Sequence, residues 1–597
     1  MHMSRTRQWL PYICLGVIYL LLVVISWKRW ANPIVDCGRE MYVPWQISEG
    51  KMLYRDLFWM YGPLVPYWHA LLFKLFGVHL NVLYAVGLML TATQTALIFV
   101  IARRVLSESL ALLAGALFLC QFAFRPSLGN LVFPYSFNAA YACALNLTAL
   151  WLVLRQREQR SETLLLFCAG ICVGLSLLCK QEIGLAALAY LLVYLAVPQA
   201  RPPSAPVSGQ PRERLLTTAC CLFPALVLPL LGYGWFASQL GLGTFLHDSL
   251  WPRETLAQMK FFEQYVVGTL FDPKAILYLL GLSLWGMGTL WVVLGGAYIA
   301  QRFLPRFSSV IWITAVALAL IASPWSDSVF RFLELNHLYA ANLILLLIAL
   351  VSTVRARSAL FWISLFALCN TWRAPVFAGI SAYSSFFMPA SVVVFVWVWA
   401  EWIPAAGKRM DGNRWRFCLV TALVTLCVLQ LSRSLVVFRV QLSHRIESQR
   451  GMMIVHRDIG PALVEAMRFL AANTRQDEPI LLFPEETSLY FLCDRHSPSR
   501  YYQFAPALMP AAKEERALIR DANAAGVRIA TVSNRSTTEY GKPYFGLDYY
   551  PLIREWLLSN FHLVKTTGNP IRPIPPPPPS RYWPNEGYGI EIYERNK

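Results

Sequence analysis

Apolar runs long enough to cross a bilayer alternate with short polar segments over the first 433 residues of the chain. A crossing helix needs roughly 20 predominantly apolar residues. On that measure the runs predict crossings near 8–27, 80–102, 108–124, 137–154, 163–179, 183–197, 215–236, 275–297, 307–323, 338–354, 358–370, 385–402 and 416–432. That makes about 13 helices, an odd number, and it puts the two ends of the chain on opposite sides. From about 434 the pattern changes. "IGPALVEAMRFLAANT" repeats with a helical period, "EPILLFP" and "GVRIATVSN" read as short buried strands, "YYPLIREWLLSNF" as an amphipathic helix, and "HLVKTT" and "YGIEIYER" as strands. The expected architecture is a polytopic α-helical membrane domain over 1–433, with a first outer loop at 28–79, followed by a soluble α/β domain over 434–597. That second segment is long enough to hold a core of its own.

Composition supports the membrane class. Of 597 residues, 56% are hydrophobic and 14% charged, against about 25% charged in soluble globular chains. The net charge of +18 comes largely from cations set between apolar runs, which is topology information before it is a nucleic-acid signal. The loops expected inside carry Arg5 and Arg7; Arg103 and Arg104; Arg155, Arg157 and Arg160; Arg201, Arg212 and Arg214; Arg302 and Arg306; Arg355 and Arg357; and Lys408, Arg409, Arg414 and Arg416. The run from Trp9 to Trp27 exceeds the apolar core of a secretory signal, about 7–15 residues. No small-residue cleavage site follows it, so it reads as an uncleaved helix with its N-terminus in the cytoplasm. The C-terminal domain is then extracytoplasmic. Nucleic acid is not an expected partner. Neither a Walker loop nor a Gly-x-Gly-x-x-Gly turn follows a strand in the second domain. Cys37 and Cys493 are the clearest cysteines outside the lipid and are candidates for pairing; no Cys/His metal spacing occurs.

The polar chemistry gathers on one membrane face. Between the first two predicted crossings lies "DCGREMYVPWQISEGKMLYRDLFWMYGPLVPYW", residues 36–68. Asp36 fits either a helix N-cap or a functional acid sharing a helical face with Arg39 and Glu40. Trp59, Tyr67 and Trp68 fit an interfacial aromatic belt. "LLCKQEIGL" places Lys180 and Glu182 between two apolar runs. A hairpin turn needs polar residues, but ionisable groups at membrane depth are also functional candidates. "FRFLELNHLY" sets Arg331, Glu334 and His337 along roughly one helical face.

The pattern D-C-G-R-E…I-S-E-G…L-Y-R-D…Y-G-P-L-V-P-Y…L-F-G over 34–78 resembles the first outer loop of the GT-C membrane glycosyltransferases. These include the protein O-mannosyltransferases and the lipid A aminoarabinose transferase. The resemblance implies two interfacial helices in that loop. It also implies transfer of a sugar from a polyprenyl-phosphate donor to a lipid, glycan or protein acceptor at the outer face of a bacterial inner membrane. Many members carry an Asp-Glu pair in this loop; here Cys37 follows Asp36. The catalytic position carried over is Asp36, with Glu40 as the alternative. A departing lipid phosphate requires cations to take up its charge, and Arg and Lys supply them. Candidates are Lys51, Arg55, Lys180, Arg253, Arg331 and Arg373, with Arg39, Tyr61, Glu182 and His337 as substrate contacts. The acceptor hydroxyl needs a positioned carboxylate base. Inversion by single displacement is expected, with no cofactor and no metal. The rival reading is a transporter or flippase of lipid-linked sugars, which would be expected to show internal repeats; none is evident between the halves.

Overall fold

The computed structural model describes residues 5–126, 129–159, 163–197, 211–246, 273–303, 308–322, 342–371, 389–407, 410–509, 511–537, 540–569 and 587–597. Within them, helices α1 (Arg5–Ser26), α2 (Cys37–Ser48), α3 (Leu64–Phe76), α4 (Leu80–Ala102), α5 (Glu108–Phe118), α6 (Phe137–Gln159), α7 (Thr163–Cys179), α8 (Gln181–Ala196) and α9 (Pro211–Leu240) occupy the first part of the chain. Among the described residues, five helices are long and apolar enough to cross a membrane: Trp9–Ser26, Leu80–Ala102, Phe137–Arg157, Leu215–Leu240 and Gly412–Gln441. Shorter apolar helices lie at Glu108–Ala123, Thr163–Cys179, Gln181–Ala196, Ile344–Thr353, Ala359–Asn370 and Ser391–Ala406, all at predicted apolar segments. Further helices run over Pro273–Phe303 and Ser308–Ala322. The first loop holds the two short helices α2 and α3, joined by a turn-rich segment.

The last long helix continues to Gln441, so the strands begin at Leu442 rather than near 434. Strands β1 (Leu442–Ser448) and β2 (Gly451–His456) form an antiparallel hairpin. A four-stranded sheet follows, with β3 (Leu481–Phe483) parallel to β4 (Ile529–Ser533), and β6 (Gly589–Arg595) antiparallel to both β4 and β5 (Phe561–Gly568). The predicted strands are all present. Helices Gly460–Asn473 and Pro551–Asn560 coincide with the two predicted amphipathic segments.

This C-terminal part packs on the first loop through buried polar and aromatic contacts. Tyr42 of α2 packs against Tyr490 and Tyr502 with tilted rings, at ring distances of 5.2 and 5.1 Å. The Ser497 amide donates to the Tyr42 hydroxyl at 3.0 Å. The Tyr502 hydroxyl donates to the Phe58 carbonyl at 2.8 Å, and the Phe58 amide to the Arg500 carbonyl at 2.9 Å. Ser488 donates to the Pro33 carbonyl. Gly38 makes this approach achievable, because a Cβ there would lie 2.4 Å from the Ser488 nitrogen. Gly38→Ala is therefore expected to cost about 1–3 kcal/mol and to open the seam between the first loop and residues 487–502. Limited proteolysis and thermal unfolding of the purified variant measure it; unchanged protease resistance would contradict it.

The N-cap alternative for Asp36 and the candidate pairing of Cys37 with Cys493 are not found here. Asp36 stands at the N-cap position of α2, but its side chain makes no cap hydrogen bond; it pairs with Arg39 instead. Cys37 and Cys493 are both free thiols. The Cys37 sulfur points to the Phe133 and Pro134 carbonyls, 3.9 and 4.0 Å away.

Candidate active site

The Tyr-Gly-Pro turn of the first loop locks onto the end of α7. The Gly62 amide donates to the Cys179 carbonyl at 3.1 Å. A Cβ on Gly62 would sit 1.9 Å from the Leu178 oxygen, so the backbones meet only because this residue has no side chain. Asn138, on the first turn of α6, ties the junction by donating to the Gly62 and Cys179 carbonyls at 3.0 and 2.6 Å. The next residue, Lys180, leaves the helix with φ −147°. This break between α7 and α8 carries an ammonium that is only 3% exposed. The turn thus sets Tyr61 beside Lys180, whose Nζ lies 4.7 Å from the ring centre.

Arg39 reaches the same ring from α2, with its Cζ 5.1 Å from the Tyr61 centre. Tyr135 joins the two cations: its carbonyl accepts from Arg39 at 2.8 Å, and its hydroxyl accepts from Lys180 at 3.2 Å. Both cations have carboxylate partners. Asp36 meets Arg39 at 2.9 Å, Glu40 meets it at 3.3 Å, and Glu182 stands 3.6 Å from Lys180. Distant segments therefore bring together Asp36, Arg39, Glu40, Tyr61, Lys180 and Glu182, all of them candidates from the sequence.

The two first-loop acids differ in surroundings. Asp36 keeps 18% of its side chain exposed, whereas Glu40 keeps 2%. Glu40 accepts from the Phe137 amide at the start of α6, 3.2 Å away. Burial still pushes its carboxyl up to about 7, against the opposing pull of Arg39. As pH rises from about 4.5 through 7, the folded chain holds a proton there that the unfolded chain has lost, so stability falls over that window. Glu40→Gln should remove this dependence, on the order of 2 kcal/mol. Unfolding curves at pH 5 and pH 8 check it; identical pH dependence in the two proteins would contradict it.

The other candidates lie elsewhere. Arg55 is 60% exposed and bound to neighbouring Asp56 through two contacts of 2.8 Å. Lys51 is half-buried; burial lowers its pKa, and Asp56 opposes that. Neither contacts the Arg39–Lys180 cluster in the way expected of a shared phosphate site. Arg253, Arg331, His337 and Arg373 lie outside the described residues. Among the described residues, no group of three or more His, Cys, Asp or Glu side chains is placed to hold a metal ion.

Sequence reasoning missed Tyr135 and Asn138, although "FPYSFN" sits in a predicted outer loop. It also missed the C-terminal wall. Arg39, Trp59 and Tyr61 face Tyr501, Tyr502 and Gln503 across a narrow cleft, with Phe58 and Leu508 at its sides. Behind the cleft, Gln503 donates to Glu485 at 3.0 Å, and Glu485 pairs with Arg535 at 3.0 Å in full burial.

Residues 61–207 match the family model described as dolichyl-phosphate-mannose-protein mannosyltransferase. That segment takes in Tyr61, Tyr135, Lys180 and Glu182 and begins after Asp36. The backbone is similar to that of the Archaeoglobus fulgidus oligosaccharyltransferase in its apo form, with TM-score 0.50 and 10% identity, covering 89% of this chain and 70% of that one. It is also similar to ArnT from Cupriavidus metallidurans bound to undecaprenyl phosphate, with TM-score 0.42, 13% identity, and 99% and 98% of the two chains covered. No curated protein matches the sequence. Over residues 61–207 the chain is thus similar to that mannosyltransferase family, and its backbone has the fold of the archaeal oligosaccharyltransferase.

Proposed function

We propose that the enzyme moves a sugar from a polyprenyl-phosphate donor to a lipid, glycan or protein acceptor of the cell envelope, at the outer face of a bacterial inner membrane. In this reading about 13 helices cross the bilayer, residues 1–433 form the catalytic membrane domain, and residues 434–597 lie outside the cytoplasm. The observation that carries it is the convergence of Arg39 and Lys180 on Tyr61, beside the partly exposed carboxylate of Asp36. The description of the matched family, a mannosyltransferase using a dolichyl-phosphate donor, supports a lipid-phosphate leaving group.

The chemistry assigns one task to each group. Asp36 takes the proton of the acceptor hydroxyl as its oxygen attacks the anomeric carbon. The bond from that carbon to the phosphate oxygen breaks, and its electron pair leaves with the lipid phosphate. Arg39 and Lys180 take up the developing charge, which is where preorganised cations contribute most. Glu40 holds Arg39 in place, and Glu182 positions Lys180 or meets the sugar. A single displacement inverts the anomeric configuration. A trapped covalent glycosyl-enzyme would overturn that step.

With two buried cations assigned to the departing phosphate, the reaction is written without a metal. Transfer by the purified enzyme is expected to survive millimolar EDTA with less than about a twofold loss; the ion would otherwise supply several kcal/mol. Loss on chelation, restored by manganese, would contradict it. The function itself is tested by mass spectrometry of lipid-linked sugars and envelope glycans in cells with and without the gene. The expected result is accumulation of one polyprenyl-phosphate sugar together with loss of one glycan modification. If the modification persists, with only the sidedness of the lipid-linked sugar changed, the transporter reading replaces this one.

A further inference from the structure

Away from the Arg39–Lys180 cluster, an open cleft of about 530 Å³ lies where the hairpin β1–β2 meets the ends of two spans. It is lined by Lys28, His79, Asn81, Arg445, Glu447 and Ser448. Lys28 stands two residues past the span Trp9–Ser26, His79 immediately before the span Leu80–Ala102, and Arg445 four residues past the span Gly412–Gln441. The corresponding ends of these spans face one side of the membrane, so the cleft sits at headgroup level whichever side that is.

The cleft is built rather than incidental. The Lys28 carbonyl accepts from the Ile454 amide at 2.9 Å, and the Leu80 amide donates to the Arg450 carbonyl at 2.8 Å, so the hairpin clamps both helix ends. The Arg29 Nε adds a bond to the Leu442 carbonyl at 3.1 Å. Lys28 is held at φ 58°, a left-handed backbone that lysine adopts only at a cost.

Its charge is cationic. Glu447 is ion-paired with Arg445. Among the described residues, no carboxylate is ion-paired with Lys28, Arg29 or Arg439, and Arg29 and Arg439 lie near enough to repel one another. In the proposed orientation this is the outer face, where the topology bias gives no reason for clustered cations. Beside the cleft, α1 presents an exposed apolar strip that includes Leu20, Leu21 and Val24, and the exposed Trp27 follows its last residue. Cations and polar donors at headgroup height above an apolar strip match one class of ligand.

We infer that this cleft binds the phosphate headgroup of an anionic membrane lipid, with Lys28, His79 and Arg445 around the phosphate and the acyl chains along α1. Anionic headgroups draw such basic segments through their surface charge, and the guanidinium of Arg445 suits phosphate oxygens. The inference stands on residues outside the proposed catalytic cluster and does not depend on it.

The test uses the full chain in nanodiscs of phosphatidylglycerol mixed with phosphatidylcholine, with retained lipid read by native mass spectrometry. Wild type is expected to retain phosphatidylglycerol over phosphatidylcholine. The double variant Lys28→Asn with Arg445→Gln should lose that retention by about tenfold; Asn tolerates the left-handed backbone. Glu447→Gln should strengthen it, which separates lost binding from lost folding. Equal retention in wild type and double variant, or equal retention of the two lipids, would overturn the inference. Displacement of the lipid by millimolar inorganic phosphate would reassign the cleft to a soluble anion and overturn the lipid assignment.

Discussion

Asp36→Asn is expected to lower sugar transfer by about 10³-fold while the protein still folds, since a positioned general base contributes roughly 10²–10⁴-fold. Asn keeps the shape and accepting oxygen of Asp but cannot take the acceptor proton. Its neighbour Arg39 retains Glu40 and the Tyr135 carbonyl, so the cluster stays paired. The loss should therefore appear in kcat rather than in donor binding, as an interaction made only in the transition state would. Kinetics with a purified acceptor and an unfolding curve read the two effects separately. Full activity in Asp36→Asn would move the base to Glu40, where Glu40→Gln would then carry the loss.

Lys180→Met should be nearly as damaging, with a loss of about 10²–10³-fold, the scale seen when one charge-stabilising donor is removed. Methionine fills much the same volume, so the effect reads charge rather than packing. Lys180 is buried and shares Tyr135 with Arg39, and Glu182 would lose its contact with the ammonium. Donor binding should weaken together with turnover, because the phosphate is charged in both the ground and transition states. Lys180→Arg should rescue poorly, since the planar fork does not fit a pocket formed around a point charge beside Tyr61. Equal turnover in Lys180→Met would remove the lysine from the phosphate site.

How far the sequence reached depends on the range of the interaction that decides each feature. The apolar helices were legible because lipid demands long apolar segments whatever the tertiary context. The break at Lys180 was legible too, since a charge between two apolar runs has few other uses. Strands β3 to β6 stood out as short apolar runs between turn residues. The hairpin β1–β2 did not: "LSHRIES" continues a helix without a breaker and leaves alternate residues exposed, and only Gly451 marks the turn. The site divided along the same line. Arg39 and Glu40 lie in the first turn of α2 and Asp36 at its N-cap position, so local spacing grouped them. The meeting of Arg39 with Lys180 is set by Gly62 packing on the end of α7, a contact across more than a hundred residues. The aromatic wall at Tyr501 and Tyr502 comes from the other end of the chain. Lys51 and Arg55 drew attention as nearby cations, but charge alone does not reveal that Arg55 is bound to Asp56.

The central claim is that the cluster of Asp36, Arg39 and Lys180 breaks a sugar–phosphate bond on a lipid carrier. The most direct measurement is acceptor-dependent release of polyprenyl phosphate from a polyprenyl-phosphate sugar by the purified enzyme, with the donor identified from the cellular lipid pool. The account predicts release by wild type, with an inverted anomeric centre in the product, and loss of release in Asp36→Asn and Lys180→Met while both variants remain folded. Release undiminished in both variants would contradict it.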